Sequence, residues 1–228
     1  MQDPEFQPPV NPLPPAVVAF FVVIAGIEAV LSLAEAGLIG GREAVGWRLG
    51  LIQDYGFSGD IFDWMVTNAM WPVNEVLRVF TYQFLHLSFA HGLFAMVLLL
   101  ALGKMVAETM GQVTFVGLFV LSGVGGALVY GLLLNDPVWL VGAYPGVYGL
   151  IGGYSFVMWR TLGAQGAPQH RAFSLIAILM GIQLLWGVFF HVGTTWVAEL
   201  AGFVCGFGLS FVLAPGEWRK IRERIRRQ

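Results

Sequence analysis

RVFTYQFLHLSFAHGLFAMVLLLALGKMVAETMG, residues 78–111, decides how the chain is read. From about residue 80 to 103 this stretch is almost wholly apolar, and ~20 such residues are what a helix needs to cross a bilayer. Two histidines, His86 and His91, sit inside the run near one end. An ionisable side chain at the centre of a membrane helix costs ~2.5–3.5 kcal/mol or more, so each marks a candidate site.

The same kind of run recurs at 16–36, 113–134, 144–161, 172–190 and 195–213. Hydrophobic residues make up 57% of the chain and charged ones 11%, against roughly 25% charged in a soluble domain. With a mean hydropathy of +0.74, little is left for a separate soluble domain. The pattern predicts an all-α membrane protein, a bundle of six transmembrane helices over residues 16–213. Residues 1–15, acidic and rich in proline, read as a disordered tail of extended type; they lack the basic start of a cleaved signal peptide. Residues 37–75 mix charges with Trp47, Trp64 and Trp71, which predicts a first loop lying at the membrane interface.

Basic residues are unevenly placed. Lys104, Arg160, Arg171 and six in the tail WRKIRERIRRQ fall on one side of the predicted bundle, and Arg42, Arg48 and Arg78 on the other. Nine against three places both termini in the cytoplasm. The expected setting is a bacterial inner (plasma) membrane. Residues 214–228 read as a basic cytoplasmic tail resting on anionic headgroups, with the lipid bilayer as partner and no nucleic acid. Cys205 stands alone in an apolar run, so no intramolecular disulfide forms and packing is its expected role.

Small residues recur four apart. Gly149 and Gly153, then Gly202 and Gly206 (with Ala198 upstream), and Gly123, Ala127 and Gly131 form such stripes. They let helix backbones approach closely where lipid supplies no drive between helices. The polar residues inside the predicted spans are Glu28, His86, His91 and Glu199, with Tyr144 and Tyr148 opening the fourth helix and Gln83 and Gln183 adding amides. Glu28 is expected to hydrogen-bond a neighbouring helix. The histidines lack HxxxH or HExxH spacing, so no metal and no cofactor is expected.

Three segments read together resemble the rhomboid family of intramembrane serine proteases. Residues 78–111 resemble its second-helix signature, with Arg78, His86, His91, Gly103 and Gly111 in register. VGAYPGVYGLIGGY, residues 141–154, resembles the run holding the nucleophilic serine in GxSG, and WVAELAGFVCG, residues 196–206, resembles the AHxxGxxxG of the sixth helix. The resemblance implies a rhomboid-like six-helix bundle with an interfacial first loop. In the family the serine attacks a scissile carbonyl, the histidine is its general base, and donors near the oxyanion stabilise the intermediate.

At the matching positions the chemistry is missing. Tyr144 stands for the serine, Pro145 for the following glycine, Glu199 for the histidine and Ala95 for the oxyanion asparagine. His91 remains as one oxyanion partner, and Tyr148 as the aromatic residue that in the family stacks on the base. A phenol with a pKa near 10 is a poor nucleophile, and Pro145 removes a backbone N–H beside it. Ser122 and Ser155 lie outside any GxSG. The resemblance thus implies a pseudoprotease with a degenerate dyad at Tyr144 and Glu199, which binds or escorts transmembrane clients. Tyr144, Tyr148, His86, His91 and Glu199 are the candidate binding residues; Arg78, Gly149, Gly153, Gly202 and Gly206 are structural. A hydrogen bond from the Tyr144 hydroxyl to Glu199 is expected to replace the dyad. Peptidase activity by an unconventional site, and a channel or transporter, are the alternatives.

Overall fold

A computed structural model describes residues 12–134, 138–189 and 193–215, with backbone only at 186–189. Helix α1 covers Pro15–Glu35, and four short helices follow it: α2 Gly41–Ala44, α3 Trp47–Tyr55, α4 Gly59–Asn68 and α5 Val73–Thr81. The long helices then resume as α6 Phe89–Met110, α7 Gln112–Leu133, α8 Tyr144–Ala164, α9 Ser174–Phe189 and α10 Trp196–Leu213. Helices α1, α6, α7 and α10 are long and apolar enough to cross a membrane. At 21 residues α8 matches their length, ~31 Å at 1.5 Å per residue. The fold is an all-α membrane bundle with a helical first loop.

The second predicted span is displaced. It was placed at 80–103, whereas the helix runs over Phe89–Met110. Ser88 stops the helix from starting earlier, because its side chain accepts from the His91 N–H and caps α6. Residues upstream form α5 and a short 3-10 turn, Tyr82–Phe84, that belong to the loop. At the far end Lys104 and Glu108, four apart, keep the helix going by pairing at 3.8 Å. The expected N-terminal tail up to residue 11 and the basic tail beyond residue 215 lie outside the described residues.

Helix α8 sits at the centre, its buried first half enclosed by α6, α7 and α10. Glycine makes the α8–α10 seam. A Cβ added at Gly206 would lie 2.1 Å from the Gly149 carbonyl oxygen, and one at Gly202 would lie 2.2 Å from the Pro145 carbonyl oxygen. Gly152 faces Phe203 in the same way, at 2.4 Å from its carbonyl oxygen. Gly153 instead faces α7, where Leu118 lies 2.7 Å from its would-be Cβ. The spacing of four found the stripe, but the neighbouring glycine completes the seam.

The loop is fastened to the bundle by two arginines. Arg48, buried in α3, donates to both oxygens of Glu28 in α1 (2.7 and 3.0 Å), to Glu35 (2.6 and 3.0 Å) and to the His86 carbonyl (2.7 Å). Ser32 adds a hydroxyl to Glu28 at 2.9 Å. Glu28 therefore finds its partner in the loop as well as within its own helix. These bonds, the one to Glu28 foremost, raise the Arg48 pKa and keep it charged. Arg78 pairs with Glu75, donates to the carbonyls of Gln53 and Gly56 at the end of α3, and lies over the Trp139 ring. Phe57 and Leu140 exchange backbone hydrogen bonds of 3.1 and 2.8 Å, tying the loop to the segment before α8.

Removing one partner of a buried ion pair strands the other, typically at ~3–5 kcal/mol. Arg48→Met should therefore lower the thermal unfolding midpoint in detergent sharply, and the Arg48→Met/Glu28→Leu pair should recover most of the loss. At the glycine seam, overpacking costs ~1–3 kcal/mol. Gly206→Ala should destabilise, whereas Gly208→Ala, whose Cβ meets nothing within 4 Å, should hold or slightly raise the midpoint.

Candidate functional site

The predicted site residues gather at the end of the bundle where the first loop lies. Gly142, with a φ of 114°, bends the chain into α8 and donates its N–H to the Tyr82 carbonyl. A Cβ there would come 2.9 Å from the His91 ring, so the turn needs both the backbone freedom and the bareness of glycine. The next N–H, of Ala143, donates to His86 Nε2 at 3.3 Å. Tyr144 then begins the helix, and Pro145 occupies the first turn, where a missing N–H leaves no helical bond unmade.

His86 lies in the bend before α6. Burial foremost, and His91 beside it, lower its pKa to about 4. The ring is neutral near pH 7, and since Nε2 accepts, the proton sits on Nδ1. That Nδ1 has no hydrogen-bond partner among the described residues. His91 packs edge-on at 5.4 Å between ring centres and accepts the Leu87 N–H at Nδ1. Its proton is accordingly on Nε2. Tyr144 stacks on His91 at 4.8 Å, and its hydroxyl donates to the His91 backbone carbonyl at 3.1 Å.

Glu199 is buried in the first turn of α10. It accepts from Gln183 Nε2 of α9 at 2.9 Å and from the Tyr148 hydroxyl of α8. The expected Tyr144–Glu199 hydrogen bond is thus replaced. Tyr144 turns to His91, and the residue one helical turn on, Tyr148, takes the carboxylate. The site divides in two: His86, His91 and Tyr144 on one side, Tyr148, Glu199 and Gln183 on the other. Ala95 is fully buried in the core.

At the site the Tyr144 hydroxyl bonds a backbone carbonyl, and the Glu199 carboxyl group bonds an amide and a phenol. Ser122 and Ser155 are fully buried, and neither hydroxyl has a partner among the described residues. Four surface cavities of about 360 to 510 Å³ are lined by none of Tyr144, Tyr148 and Glu199. Among the described residues no three His, Cys, Asp or Glu side chains group as metal ligands. The sequence reading missed Arg48 as a positioning residue, counting it only as a loop charge. A carboxylate at Glu28 in a membrane helix, with a charged loop directly after it, was the available signal. Gln183 was noticed only as an amide; its partner lies across a loop that spacing does not resolve.

Residues 73–216 match the family described as Rhomboid domain. Over 145 residues, 61% of this chain and 34% of the relative, the sequence is 30% identical to RHOMBOID-like protein 4 of Arabidopsis thaliana. It is 32% identical over 139 residues to RHOMBOID-like protein 1 of the same plant, covering 61% of this chain and 35% of that one. The chain thus matches about a third of the length of these relatives.

Leaving a buried polar group without its hydrogen-bond partner costs ~1–3 kcal/mol. Gln183→Leu should therefore loosen α9 from the bundle, and hydrogen–deuterium exchange should speed up in α9 while α7 keeps its protection.

Proposed function

The chain belongs to the rhomboid family, and we propose that it is a member without proteolytic activity that binds or escorts transmembrane clients. One observation carries this reading. The two groups at the dyad positions are each bonded elsewhere, Tyr144 to the His91 carbonyl and Glu199 to Gln183 and Tyr148. Even released, a phenol and a carboxylate are a poor nucleophile and a weak base for acyl transfer. Ala95 and Pro145 offer no oxyanion donor. What is kept is the framework around the site, the glycine seam and the loop anchors, which is what holding a membrane segment requires.

Both termini lie in the cytoplasm on this reading. Lys104, Arg160 and Arg171 fall at the end of the bundle opposite the first loop. On the loop side the arginines are fewer, and Arg48 and Arg78 are paired with glutamates.

Reconstitution in liposomes with a transmembrane reporter substrate should give no cleavage product. A product that disappears on Tyr144→Phe or Glu199→Gln would overturn the reading. A photoreactive residue at Leu87, exposed beside His91, should crosslink membrane polypeptides in native membranes. Crosslinks to lipid alone would remove the client-binding half of the proposal.

A further inference from the structure

Between α1 and the first loop lie two cavities that adjoin at Leu51. The lower, about 510 Å³, is walled by Val23 and Ile27 of α1, Tyr55 of α3, and Phe84 and Leu85. The upper, about 490 Å³, is bounded by Val30, Trp47, Gly50 and the carboxylates of Glu43 and Asp54. Val23, Ile27, Val30 and Leu31 stand at i, i+4, i+7 and i+8, one stripe down α1. Val23 is twelve residues from Glu35 at the loop end of α1, ~18 Å at 1.5 Å per residue, about one leaflet of a ~30 Å hydrocarbon core. The cavities thus run from an acidic, aromatic rim at the interface to an apolar groove near the bilayer centre.

We propose that this surface binds one phospholipid with a primary-amine headgroup, a phosphatidylethanolamine, its ammonium at Glu43, Asp54 and Trp47 and an acyl chain in the lower groove. Charge selects the head. Neither Glu43 nor Asp54 takes part in the ion pairs that fasten the loop. The carbonyl end of α3 beside Asp54 adds partial negative charge, which disfavours an anionic lipid. An ammonium offers three donors to carboxylates and a cation to the half-exposed Trp47 face; a choline head offers no N–H.

Gly50 makes the test clean. It lies within helix α3 and lines the upper cavity, and a Cβ built on it meets nothing within 4 Å, so a side chain added there starts in open space beside the cavity. The full chain is assembled in nanodiscs of equal phosphatidylethanolamine and phosphatidylglycerol, and native mass spectrometry counts the lipids retained. The wild type should keep one phosphatidylethanolamine in preference to phosphatidylglycerol. Gly50→Phe should reduce that retention about tenfold, equivalent to ~1.4 kcal/mol, with an unchanged melting midpoint as the control for folding. Glu43→Gln/Asp54→Asn should erase the preference between the two lipids. Equal retention of both lipids by the wild type would overturn the proposal. So would full retention by Gly50→Phe, a preference that survives removal of the carboxylates, or a polypeptide found in place of the lipid.

Discussion

Arg48 is the point on which the architecture turns. A guanidinium has five donors in a fixed fork, and here they reach two carboxylates about two turns apart on α1 and the carbonyl of His86. The first membrane helix, the loop and the bend before α6 are thereby made one body. His86, held by its carbonyl, uses its ring to hold the Ala143 N–H, and Ala143 is the residue from which α8 starts. A continuous chain of contacts therefore runs from a loop arginine through His86 to Ala143, the residue before Tyr144. Gly92 completes the arrangement, since a side chain there would meet Glu28 at 3.2 Å.

The opposite wall is built on a different principle. Helices α8 and α10 touch backbone to backbone through glycine, with dispersion and close approach replacing charge. Glu199 sits at the outer end of this seam, within reach of both α8 and α9. The Glu199 carboxylate makes a polar junction among three helices, accepting from an amide of α9 and a phenol of α8.

Much of this was legible in the residues. Runs of apolar residues located the bundle, and the spacing of small residues located its tightest seam. Two failures are instructive. The start of α6 was misplaced because hydropathy treats residues 80–88 as part of one run, whereas Ser88, a single capping hydroxyl, sets the boundary. The partner of Tyr144 was misassigned because motif matching gives positions and not directions. Tyr144 and Tyr148 are one turn apart on the same face, and only the stacking on His91 decides which of them meets Glu199. Arg48 was hidden for a further reason: burial of a charge is a tertiary fact with no local signature.

The pairing of Glu28 with Arg48 also sets an order of events during synthesis. Glu28 belongs to α1, and its partner Arg48 follows twenty residues later in the chain. Until Arg48 is in place the helix carries an unmatched carboxylate in hydrocarbon, and its insertion is provisional. Once Arg48 arrives the contact closes over a short stretch of chain, at little loop entropy. The α8–α10 seam, joining Gly149 to Gly206, must wait for the last span. The molecule is thus assembled from the first loop inward, with the anchor of its outer face set long before its core is closed.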